Sequence, residues 1–105
     1  SDVKPVQEKE LPFLPQELET LDYIKNMIHA ENVIYKKTSQ YAYMHIAGSQ
    51  YKWIFRVYVR QDKCLFVLHK FSDTDYETEY FFDEVELLSQ IQSLIEDTYK
   101  KCKQM

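Results

Sequence analysis

Between residues 33 and 71, four segments rich in β-branched and aromatic side chains follow one another with almost nothing between them. They run Val33 to Thr38, Ala42 to Ala47, Lys52 to Arg60 and Cys64 to Phe71, broken by Ser39-Gln40, Gly48-Ser49-Gln50 and Gln61-Asp62-Lys63. A parallel pair of strands needs a crossover of a dozen or more residues, so breaks this short force antiparallel neighbours. The chain is thereby confined to a β-meander. A polar stretch, Ser72-Asp73-Thr74-Asp75, reads as a loop, and Glu77 to Phe82 as a short fifth strand.

Helical patterns flank the meander. Residues 1–14 mix charges with Lys4-Pro5 and Leu11-Pro12, have no apolar period, and read as a linker. Pro15 suits a first helical turn, where its missing N–H is no loss, and Leu14, Leu18, Leu21, Ile24 and Ile28 recur at helical steps over 15–30. After the strands, Asp83 and Glu86 form a capping-box pattern. Val85, Leu88, Ile91, Leu94 or Ile95, and Thr98 then mark a buried stripe that closes on Lys100, Lys101 and Lys103. The expectation is an α+β fold of order α-β-β-β-β-(β)-α, a two-layer sandwich with both helices on one face, in a single domain over 15–105.

Two helices on one side leave the other face of the sheet bare, and strand alternation predicts what it carries. In 52–60 the apolar set Trp53, Phe55, Val57 and Val59 is expected under the helices, with Lys52, Ile54, Arg56, Tyr58 and Arg60 outward. The preceding strand sends Ala42, Met44 and Ile46 inward and Tyr41, Tyr43 and His45 outward. The next sends Cys64, Phe66 and Leu68 inward and Leu65, Val67 and His69 outward. The candidate contact set is therefore Lys36, Tyr41, Tyr43, Lys52, Arg56, Tyr58 and Arg60. Aromatic rings interleaved with cations suit single-stranded nucleic acid. Tyr and Arg enrichment equally suits a protein interface, including a homodimer.

Composition narrows the remaining possibilities. Thirteen basic and seventeen acidic side chains give a formal charge of −4, so any nucleic-acid role needs a local basic patch. No apolar run is long enough to span a bilayer, and no membrane partner is expected. The charged N-terminus lacks a secretory pattern, which points to the cytoplasm, and Ser1 in place of Met reads as the start of a piece of a longer protein. Cys64 and Cys102 read as two reduced thiols.

Catalytic constellations are missing. One glycine cannot build a phosphate-cradling loop, and there is no Gly-x-Ser-x-Gly elbow. His29, His45 and His69 are too far apart in sequence for a metal site on one element, and no Cys-x-x-Cys occurs. The acid-x-Lys pair of a metal-dependent nuclease occurs only as Asp2-Val3-Lys4, in the expected linker. No catalytic residue, metal or cofactor is expected.

The run Tyr35-Lys36-Lys37-Thr38-Ser39-Gln40-Tyr41, followed by Lys52-Trp53-Ile54-Phe55-Arg56-Val57-Tyr58, resembles the small C-terminal domain after the nuclease region of bacterial type I restriction enzyme R proteins. The matching positions are Tyr35, Lys36, Thr38, Tyr41, Lys52, Arg56 and Tyr58, and the flanking helices align in kind over roughly 16–100. Lys37 stands where that family usually has Asp, Ala42 where Phe is common, and Trp53 where Pro is common. The resemblance implies an accessory domain in a restriction-modification protein, with catalytic carboxylates upstream. Its implied partners are DNA and the upstream nuclease region of the parent chain.

Overall fold

The computed structural model describes residues 11–71 and 77–105. The expected Ser72–Asp75 loop and residues 1–10 of the expected linker lie outside them. Helix α1 spans Pro15–Met27, strands β1 to β5 span Val33–Lys37, Ala42–Ile46, Trp53–Val59, Cys64–Leu68 and Glu79–Phe82, and a 3₁₀ helix, Val85–Ile91, leads into α2, Gln92–Gln104. The five strands pair antiparallel in chain order, β1-β2-β3-β4-β5. The α+β meander predicted from the short breaks is the fold.

One layer is the helices and the other the sheet. Leu21, Ile24, Ile28, Val85, Leu88, Ile95 and Cys102 bury against Ala42, Met44, Phe55, Val57, Phe66, Leu68 and Phe82. Ahead of α1, Phe13 packs edge-on against Tyr35. Tyr99 fastens α2 to the loop before β1, its hydroxyl accepting the Glu31 N–H at 2.9 Å and donating to the Glu31 carbonyl at 3.2 Å.

Both helical segments differ from the sequence expectation. Helix α1 ends at Met27 rather than near 30, because His29 takes a left-handed φ of 52° and the Ala30 N–H returns to the Lys25 carbonyl at 3.0 Å. That six-to-one bond is the usual device for closing a helix. At the other end, the expected capping box at Asp83 does not form. The N-cap is Glu84, without a side-chain hydrogen bond. Val85, Leu88 and Ile91 are three residues apart, the period of a 3₁₀ helix, and steps compatible with an α-helix resume only at Ile95, Thr98, Tyr99 and Cys102.

A buried ion pair joins the layers at β1. Lys37 Nζ meets Glu17 Oε2 while Glu17 Oε1 accepts the Leu14 N–H at 2.7 Å, with the Glu17 side chain 1% exposed. Tyr35 on the same face donates to Asp22 Oδ1 at 2.8 Å. Burial and then the Asp22 carboxylate push the Tyr35 phenol well above its ordinary pKa.

Candidate contact face of the sheet

A β-bulge decides the composition of the open face. Met44 pairs with Phe55, but His45 pairs with Trp53, so Ile54 is an extra residue in β3. Two residues on one strand then oppose one on the other and the alternation slips by one. Trp53, expected beneath the helices, instead shares the open face with His45, while Ile54, expected outward, is fully buried in the core. Strict alternation cannot bury Ile54 and Phe55 together. The three consecutive apolar residues Trp53-Ile54-Phe55 are the trace of the bulge in the sequence.

The bulge is pinned from both layers. His69 donates its backbone N–H to the Ile54 carbonyl at 3.0 Å, and its Nδ1 lies 2.7 Å from the Trp53 carbonyl. From the helix layer, Cys102 Sγ donates to the same carbonyl at 3.2 Å. Burial pushes the Cys102 thiol up to about 12, so it remains a protonated donor. Burial, and then the Glu19 and Glu17 carboxylates, also raise the Cys64 thiol.

Around the bulge the aromatic groups form a connected array. The Trp53 and His69 rings stack at 4.4 Å and 8°, and His69 and Phe71 at 4.5 Å and 13°. The Arg56 guanidinium lies 4.2 Å from the Trp53 ring centre and 4.7 Å from that of Tyr41. Tyr41 in turn meets Tyr58 at 5.0 Å and Tyr43 at 5.8 Å, while Arg60 lies over Tyr58 at 5.4 Å. Tyr41 is placed by the β1–β2 turn, where Thr38 Oγ1 accepts the N–H groups of Gln40 and Tyr41 at 3.2 and 3.1 Å.

Of the seven residues predicted for this surface, Tyr41, Tyr43, Arg56, Tyr58 and Arg60 come together in the array. Lys36 is exposed on the same face, opposite Tyr43, which is opposite Arg56. Lys52 lies in the β2–β3 turn, where its backbone joins Ile46 and Ser49, and its ammonium has no part in the array. Trp53 and Phe71 were missed as members. Strand alternation sends His69 outward, while the candidate contact set omits it.

Among the described residues, Lys36, Arg56 and Arg60 lie on or beside the open face, and Glu79, opposite Val67, is the carboxylate on its strands. The helical segments carry both signs, Glu17, Glu19, Asp22, Glu86, Glu96 and Asp97 with Lys25, Lys100, Lys101 and Lys103. Exposed apolar surface rims the open face, with Ile34 40% and Phe81 58% exposed, and Lys63 lies over Phe81 at 4.5 Å. Among the described residues, no three His, Cys, Asp or Glu side chains gather to hold a metal, and no helix is long and apolar enough to cross a membrane.

No family model, curated protein or solved structure matches the chain.

Proposed function

We propose that the chain is a non-catalytic accessory domain of a protein like the type I restriction enzyme R proteins, and that it contacts DNA through the open face of its sheet. The observation that carries the reading is the local excess of cations. Among the described strand residues, Lys36 and Arg56 lie on this face, with Arg60 beside it and Glu79 as the strand carboxylate, in a chain of formal charge −4. A potential confined to one face recruits a polyanion whatever the sign of the whole molecule.

The rings qualify how the contact works. Trp53, His69 and Phe71 spend ring faces on one another, and Trp53 also lies against Arg56, which leaves less face for stacked bases. The contact runs mainly to phosphates, with the tyrosines at its border. Binding of a labelled oligonucleotide, followed by anisotropy across a salt series, tests this. Three phosphate contacts on a single strand give a slope of log affinity against log salt of about −2. No binding of single- or double-stranded DNA at low salt removes the reading.

A second reading has its own observation. Exposed Ile34 and Phe81 border a preassembled group of Trp, Tyr and Arg, the side chains that dominate protein interfaces. Docking onto the upstream nuclease region, or homodimerisation, uses the same surface. A mass that rises with concentration in sedimentation supports self-association, and a strict monomer counts against it.

A further inference from the structure

Among the described residues, two buried side-chain nitrogens have no hydrogen-bond partner, His45 Nε2 and Arg56 Nε. Both residues belong to the open face. His45 is 5% exposed and its Nδ1 is engaged at 2.7 Å with the Ile46 carbonyl. Among the described residues Arg56 has no carboxylate partner, the ion pairs between them being Lys37–Glu17 and Lys101–Asp97. Its contacts are the π faces of Tyr41 and Trp53.

A guanidinium taken partly out of water without a counter-charge is costly, and a ring offsets part of the cost without offering an in-plane acceptor. Of its three nitrogens only Nε is both buried and unpartnered, so the two terminal amines keep contact with solvent. The geometry points to Arg56 as the receptor for a phosphodiester oxyanion, its terminal N–H edge held in a fixed plane by Tyr41 and Trp53. This rests on the proposed DNA contact and assigns one residue and one chemical group to it.

Orientation distinguishes this residue from an ordinary surface cation. A planar guanidinium presents two parallel N–H groups to two oxygens of one phosphate, whereas an ammonium is a point charge without that match. Removal of water from the ring-covered faces strengthens the attraction that remains at the edge. Trp53 acts as a positioning residue. As the chain's one tryptophan, it also reports on events at Arg56.

The test titrates the full chain with a short thymidine oligonucleotide, reading Trp53 emission and anisotropy, and compares Arg56→Lys, Arg56→Ala and Lys36→Ala. Loss of a charge-assisted pair makes both Arg56 variants bind about tenfold more weakly or worse, with the salt slope less steep by about 0.7 in Arg56→Ala and unchanged in Arg56→Lys. Lys36→Ala lowers affinity less, and wild-type emission changes on binding. Should Arg56→Ala fail to fold, Arg56→Lys, which keeps the charge and the stem, carries the comparison. Wild-type affinity in Arg56→Lys alongside weakening in Lys36→Ala overturns the receptor role and leaves the face reading intact. No binding by the wild type overturns both. A polyglutamate peptide that binds as tightly as the oligonucleotide overturns the assignment to phosphate in favour of an acidic protein segment.

Discussion

The Arg56 guanidinium lies 4.2 Å from the Trp53 ring, although the two residues are three apart on one strand and strict alternation would put them on opposite faces. The extra residue Ile54 brings them together. One insertion therefore both buries an isoleucine and completes the ring array around the arginine.

That pairing has a measurable energy. A double-mutant cycle on Trp53→Ala and Arg56→Ala, read from urea unfolding, gives a coupling of about 0.5–2 kcal/mol, the range of a cation–π contact partly removed from water. A coupling indistinguishable from zero contradicts the contact.

Ile54 and Trp53 exchange the roles that alternation assigns them. Ile54→Ala empties a fully buried site in the core and destabilises by about 2–5 kcal/mol. Trp53→Leu, at a half-buried position on the open face, costs less than Ile54→Ala in the same denaturant series. The reverse order restores the unbulged register.

Much of this architecture can be read in the chain. Breaks of two or three residues at 39–40, 48–50 and 61–63 leave antiparallel pairing as the outcome, and Gly48, with φ of 99°, occupies a turn position that a side chain rarely adopts. Five of seven predicted face residues join the array because Tyr41, Tyr43, Arg56, Tyr58 and Arg60 lie on one side of the bulge, where alternation holds. Trp53 lies beyond it. A bulge depends on tertiary partners, here His69 and Cys102 on the Trp53 carbonyl, and those are distant in sequence. Helix ends were misplaced for a related reason, since His29 in a left-handed conformation gives no composition signal of the kind glycine does.

Glu17 and Lys37 form a buried pair whose halves depend on each other. Glu17→Ala leaves the Lys37 ammonium and the Leu14 N–H unpaired and costs about 3 kcal/mol or more in unfolding experiments. Glu17→Gln combined with Lys37→Met removes both charges and recovers much of that loss. A double variant no more stable than Glu17→Ala contradicts the pairing.

Stability at alkaline pH follows from Cys102. Its pKa rises from 9.0 to about 12 on folding through burial, so the folded state favours the protonated thiol. The contribution is fully present below pH 9.0 and is lost as pH rises through about 12. Urea midpoints therefore fall between pH 8 and pH 11, more steeply in the wild type than in Cys102→Ala. Equal slopes remove the thiol as the cause.

The contact face itself is tested most directly by amide chemical-shift mapping of the labelled protein during titration with single-stranded DNA at low salt. Shifts are expected at Lys36, Tyr41, Tyr43, Trp53, Arg56 and Tyr58, weakening as salt is added, with α1 and α2 unmoved. Shifts confined to the helices, or none at all with saturating oligonucleotide, contradict the account.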